Sequence, residues 1–322
     1  MENSTKFKCK NHHYFSSIFV DLFPDTSSID TLVIITHHHQ DHMIGKISKF
    51  KGTIITSEIT KTLIQYKVKS PIISIPYLEW FTSPLQPDVQ IQLVPNYHCA
   101  GSVGIVLRKQ DFSIGFTGDF RIWEQSEYAV SSFMQFFESC HTLYYDDTFA
   151  YEKSYDIPSL ASIQLELLQR INQCKTIFID INRTGIEILL KPLLQDPYIH
   201  YVFHESLSAP MNTVLPLLFK TYNTRHKTII FGRYNKLVTI PQDIDLFIKP
   251  KCISAFLCQD RKPIFDESQK EKLHEPILCF HNSPDELRYF LARAKPLLSS
   301  CQFVIPLSQS QSIKKETKKG KA

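Results

Sequence analysis

The stretch Leu32-Val33-Ile34-Ile35-Thr36-His37-His38-His39-Gln40-Asp41-His42 constrains this chain more than any other. An apolar run of the kind a buried strand uses stops abruptly at His-x-His-x-Asp-His. The imidazoles at 37, 39 and 42 and the carboxylate at 41 are metal-ligating groups by chemistry. Alternate residues of an extended segment point the same way, so His37 and His39 can face one ion. The turn that follows can aim Asp41 and His42 at a second. Two ions a few ångströms apart are the arrangement that activates a water between them.

The bulk of the chain is ordinary. It has 322 residues, 43% hydrophobic and 21% charged, enough for one large or two interleaved domains. No apolar run approaches the roughly 20 residues of a membrane span, and the N-terminus lacks the apolar core of a secretory signal. Eight cysteines are scattered with no Cys-x-x-Cys pair, which reads as reduced thiols of an intracellular protein. A net charge of +4 permits a polyanionic partner without requiring one. Of nine glycines, Gly45, Gly101, Gly104, Gly118, Gly185 and Gly232 fall in or near the segments singled out here, where turns or close backbone approach are expected.

Strands are expected over Ser17–Phe23, Gly52–Thr56, Ile72–Ile75, Val89–Val94 and Ile105–Arg108, with a Ser57-capped helix to Ile64. His98 ends one apolar segment, and Asp119 follows another, in Thr117-Gly118-Asp119-Phe120-Arg121. Leu143–Phe149 is a further strand, carrying Asp146 and Asp147. From 159 onward, helices at Ser159–Leu168, Gly185–Leu194 and Pro210–Tyr222 alternate with strands at Thr176–Ile181, Tyr201–Phe203 and Thr228–Phe231. That pattern predicts a small parallel sheet of its own. Ser283-Pro284-x-Glu286 is a capping box that starts a helix through Leu291 and leaves His281 at a strand end.

The order HxHxDH, then His98, then Thr-Gly-Asp resembles the metallo-β-lactamase superfamily. The resemblance implies that His37, His39 and His98 bind a first metal, that Asp41 and His42 bind a second, and that Asp119 bridges both. It implies two divalent ions, zinc by preference, and a supporting role for Asp21. Asp146-Asp147-Thr148-Phe149, Tyr155-x-Ile157-Pro158-Ser159, His98-Cys99-x-Gly101-Ser102-Val103 and Thr117–Arg121 are similar to the Artemis branch of the β-CASP nucleases. The fold so implied is α/β: a metallo-β-lactamase αββα sandwich over 14–150 and 271–310, with a β-CASP α/β domain inserted over 151–270. A basic tail, 311–322, reads as disordered. The same resemblance makes Asp146 a further ligand of the second metal, with Asp147 as the alternative acid. It places His281 near the metals.

Two positions depart from the family pattern. Ile229-Ile230-Phe231-Gly232-Arg233 stands where a His precedes a Cys-Arg, and Tyr97 stands where Gly is usual. The expected function is metal-dependent hydrolysis of DNA, 5′-directed, in nuclear repair or cross-link processing, possible repair-complex proteins being further partners. Asp41, His42, Asp119 and His281 are the expected catalytic groups. Arg183, Thr184, Gly185, Ser283 and Arg233 are expected at the substrate, with Arg121 and Lys191 as further phosphate contacts. The alternatives are an RNA-processing endonuclease of the same family, a small-substrate hydrolase, and a scaffold with a dead site.

Overall fold

The apolar run before the histidine turn becomes strand β3 (Leu32–Ile34) of the computed structural model, and Leu32 to Ile35 are fully buried. Burial on both faces accounts for the unbroken run of apolar residues. β3 lies in a parallel sheet with β1 (Ile18–Val20), β5 (Thr53–Thr56) and β6 (Ile72–Ser74), in the order β1-β3-β5-β6. Val20 stands opposite Ile34, so the chain just past β1 reaches the beginning of the histidine turn.

A second sheet has the order β19 (Phe303–Pro306), β11 (Thr142–Tyr145), β10 (Phe112–Phe116), β9 (Val103–Lys109), β8 (Val89–Pro95), β7 (Phe81–Thr82). β7 to β10 form an antiparallel meander, and β11 and β19 add in parallel. Leu32 and Ile34 face Leu93, Val103, Ile105 and Leu107 of this sheet, forming the core between the two. Val33 and Ile35 point the other way, toward Phe23, Met43, Phe50 and Ile64. Ile64 ends helix α1 (Glu58–Ile64), whose Ser57 cap accepts a bond from the Thr60 amide. The outer face of the second sheet carries α2 (Glu127–Met134) and α6 (Pro284–Leu297), through Val130, Met134, Leu287 and Phe290 against Val106 and Leu143. The layers are therefore α, β, β, α.

The chain forms two units, Met1–Lys153 with His281–Ala322, and Ser154–Phe280. The second unit holds β12 (Thr176–Asp180), β13 (Ile199–Phe203), β14 (Lys227–Gly232), β15 (Leu246–Ile248) and β17 (Leu273–His274). These make one parallel sheet in the order β13-β14-β12-β15-β17. Helix α3 (Leu160–Gln173) precedes its first strand, and α4 (Ile186–Leu190) and α5 (Ala209–Leu218) lie between its strands in sequence. Two short ladders pair β2 (Leu22–Phe23) with β4 (Ile44–Gly45) and β16 (Lys251–Cys252) with β18 (Ile277–Leu278). The structure describes residues 15, 17–25, 27–121, 127–148, 160–181, 185–190, 199–219, 227–233, 243–248, 251–252, 272–274, 277–278, 281, 284–298, 301 and 303–306. Among them, no helix is long and apolar enough to cross a membrane.

Several bounds differ from the sequence reading. α3 continues to Gln173, past the expected Leu168, because Ile171 is buried and no breaker intervenes. α5 ends at Leu218, two residues after Pro216, where Phe219 turns extended. α6 runs to Leu297 rather than Leu291, since Phe290, Ala294 and Leu298 keep an apolar stripe at helical spacing. β7, α2, β15, β16 and β17 carry no expectation from sequence; four of the five are strands of two or three residues.

Candidate metal centre

The histidine turn is held from beneath by Asp21. This buried residue follows β1 in a left-handed backbone conformation, φ +52°. Its Oδ1 accepts the Thr36 amide at 2.7 Å and its Oδ2 the Thr36 hydroxyl at 2.6 Å. The same Oδ2 accepts a bond from His42 Nδ1 at 2.7 Å, which turns His42 Nε2 toward the centre. Residues 40–42 form one 3-10 turn, and this brings His42 back under His37.

His98 arrives on the turn after β8. Gly101, at φ +82°, lets that turn close onto α1: a Cβ there would meet Ile59 Cβ at 2.8 Å. Its carbonyl accepts from Ser57 Oγ at 2.6 Å and Thr60 Oγ1 at 3.0 Å. Asp119 follows β10 through Gly118, at φ +61°, where a Cβ would lie 2.6 Å from the Val103 carbonyl oxygen. Thr117 Oγ1 accepts the Asp146 amide at 3.0 Å, so the turns after β10 and β11 are locked together.

Three groups of ligand atoms result, each gathered within 4.8 Å: His37 with His39 and His98, His37 with His42 and Asp119, and His98 with Asp119 and His281. His39 Nδ1 lies 3.0 Å from both His37 Nε2 and His98 Nε2. A tetrahedral zinc with bonds of about 2.0–2.1 Å holds its nitrogens little further apart than this, so the donor set fits that ion. Asp119 Oδ2 is 3.0 Å from His42 Nε2, 3.9 Å from His37 Nε2, 3.8 Å from His98 Nε2 and 3.7 Å from His281 Nε2. That single oxygen belongs to two of the three groups and stands where a bridging ligand would.

The electrostatics separate the imidazoles. Burial, then the neighbouring rings, push His37 and His39 well below the usual histidine value, leaving them neutral with lone pairs available. Burial, with Lys67, takes His38 down to about 3. Burial alone would lower His42 too, but the Asp119 and Asp21 carboxylates outweigh it and hold His42 well above the ordinary value. His281 is likewise raised to about 9, by Asp146 and Asp119 against its burial. Burial would raise Asp119, yet His42, His281 and His98 keep it far below the carboxylate range.

Not every expected residue converges. The Asp41 side chain is 43% exposed, with Oδ2 4.0 Å from His42 Nε2, and belongs to none of the three groups. Asp146 is buried but turned away from them: it accepts from His281 Nδ1 at 2.8 Å, the Phe120 amide at 3.2 Å and Thr148 Oγ1 at 2.6 Å. His281 itself joins the third group, a position the sequence reading left at "near the metals". Arg121 is not available to a phosphate, because it is buried and bonded to Glu286. Gly185 and Arg233 belong to the second unit, where the Gly185 amide donates to Glu187 Oε2 at 2.7 Å and the Arg233 amide to Ser206 Oγ at 2.8 Å. Arg183, Thr184, Lys191, Ser283 and the stretch 149–159 lie outside the described residues, as does the basic tail. Asp147, the alternative acid, is buried.

Sequence reasoning missed Thr36 and the pairing of Arg121 with Glu286. Thr36 was legible in principle, as a hydroxyl at the hinge between apolar run and ligands. The ion pair was not, since its partners are 165 positions apart.

An αββα sandwich with its histidine turn at the end of β3 is the metallo-β-lactamase fold. In sequence the chain is similar, at low identity, to Artemis, Apollo and a DNA cross-link repair protein. No family model matches the chain. It is 21% identical to the protein artemis of Gallus gallus over 331 aligned positions, covering 88% of this chain and 46% of that protein. It is 29% identical over 143 positions to the DNA cross-link repair 1A protein of Mus musculus, covering 43% and 13%. Over 91 positions it is 32% identical to the 5′ exonuclease Apollo of Gallus gallus, covering 28% and 20%. The matched part is thus less than half of each of these relatives. Among solved structures, a protein of unknown function from Enterococcus faecalis V583 shares the fold, with a TM-score of 0.55 at 14% identity, covering 86% of this chain and 75% of that one.

Proposed function

We propose that the chain is a metal-dependent phosphodiesterase acting on DNA from a 5′ end. The observation that carries this is the Asp119 oxygen common to two groups of converging nitrogens. Two divalent ions, zinc by the donor chemistry, would supply a water activated near neutral pH and positive charge for the phosphoryl oxygens. His37, His39 and His98 would hold one ion, and His42, with Asp41, the other, while Asp119 serves both. Asp146 holds the ring of His281, whose Nε2 faces the centre. So oriented, the His281 ring can donate a hydrogen bond to a phosphate oxygen or a proton to the leaving oxygen. No side-chain nucleophile is required.

One relative is named as a DNA cross-link repair protein and another as a 5′ exonuclease, which supports DNA as the substrate and a nuclear role. Arg183, Thr184, Gly185, Ser283 and Arg233 are assigned to the terminal phosphate and strand backbone, where amides, hydroxyls and guanidinium forks recognise phosphate oxygens. The test uses metal-loaded full-length chain on end-labelled DNA and RNA of one sequence, with 5′-phosphate or 5′-hydroxyl ends. DNA should be shortened from the 5′ end. Faster cleavage of RNA under all conditions would overturn the DNA assignment in favour of an RNA-processing enzyme.

A further inference from the structure

Asp119, Phe120 and Arg121 meet the returning chain at three successive points. Asp119 Oδ2 lies 3.7 Å from His281 Nε2. The Phe120 ring packs on Phe290 at 5.0 Å and 64°. The Arg121 guanidinium grips Glu286 with two prongs, Nη2 to Oε1 at 2.8 Å and Nε to Oε2 at 3.1 Å. Arg121 is 1% exposed and the Glu286 side chain 8%.

Taking both charges out of water is unfavourable, and an apolar pair of the same shape would often hold two elements together as well. Phe120 and Phe290 already provide such a contact between α6 and the sheet. A ring on a ring, however, leaves the helix free to slide or rotate. A planar fork on a carboxylate fixes both distance and orientation. Five residues before Glu286 is His281, whose place depends on that register. Its Nδ1 must meet Asp146 Oδ2, now at 2.8 Å, for its Nε2 to face Asp119. Asp146 is in turn held by the Phe120 amide, so both anchors of His281 belong to one piece of structure.

We propose that the buried Arg121–Glu286 pair is a positioning device that seats His281 against Asp146 and Asp119. Its effect on hydrolysis rests on the function proposed above; the seating itself does not.

The test is proton NMR of the metal-free full chain. Two imidazole N–H groups donate to buried carboxylates and should resonate far downfield: His281 Nδ1–H to Asp146 and His42 Nδ1–H to Asp21. Single His281→Ala and His42→Ala variants assign them. In Glu286→Gln, and in the apolar double variant Arg121→Met/Glu286→Leu, the His281 signal should disappear into exchange while the His42 signal stays. The apolar variant removes both members of the pair together and should melt closer to wild type than Glu286→Gln does. An unchanged His281 signal in the apolar variant overturns the proposal. So does loss of both signals together, or failure of the apolar variant to fold, since either means the pair holds the unit as a whole. On DNA, kcat should fall on the order of 10–100-fold with KM kept, as for other groups that orient a site residue. A wild type that cleaves nothing, with the NMR result as expected, defeats the proposed function and leaves the seating intact.

Discussion

Asp21 Oδ2 accepts a hydrogen bond from His42 Nδ1 at 2.7 Å, and both side chains are buried. The same carboxylate binds the amide and hydroxyl of Thr36, the residue before the first histidine. One acid therefore sets the ring of a candidate ligand and the backbone that launches the others.

Asp21→Ala should weaken metal binding by about 10–100-fold without removing any ligand. Competition with a graded series of chelators measures it. An affinity equal to wild type would show that the turn holds itself.

His42 and Asp41 should part company in metal-free protein. Removing His42 leaves Asp21 and Asp119 facing each other without their cation, a loss of about 3–5 kcal/mol by analogy with broken buried ion pairs. The Asp41 side chain is 43% exposed, so Asp41→Ala should stay within about 0.5 kcal/mol. Urea unfolding with chelator present gives both values. In metal-loaded protein, either variant should lose hydrolysis if Asp41 closes on the second ion.

The Cys140 thiol sits beneath the outer helices, and burial pushes it up to about 12. Its folded value exceeds its unfolded one. Its contribution to stability is therefore complete below about 9 and is lost as pH rises toward 12. At pH 8 Cys140 should resist a thiol reagent in the folded chain and react after unfolding. Fast labelling of the folded protein at Cys140 would contradict the burial.

The convergence of the candidate ligand side chains was legible where chemistry is local. His37, His39, His42, His98 and Asp119 sit on short turns directly after apolar runs, so strand ends could be read and ligands followed from them. Asp21 was reachable the same way, as an acid closing β1. Less was legible where a side chain's partner is distant in sequence. Asp146 reads as another ligand in the sequence, and its bond to His281, 135 positions away, is a contact no local pattern announces. Glu286 looks like a capping acid, yet its carboxylate meets Arg121. The short strands β7, β15, β16 and β17 escaped because two or three residues are too few to show a period.

The most direct measurement is the metal content of wild-type and Asp119→Ala protein purified without chelator, read by elemental analysis against chain concentration. Wild type should hold close to two equivalents of divalent transition metal. Asp119→Ala should lose at least one while keeping its circular dichroism spectrum. A folded wild type with stoichiometry near zero, or an Asp119→Ala variant that still holds two, would contradict a centre built around that shared oxygen.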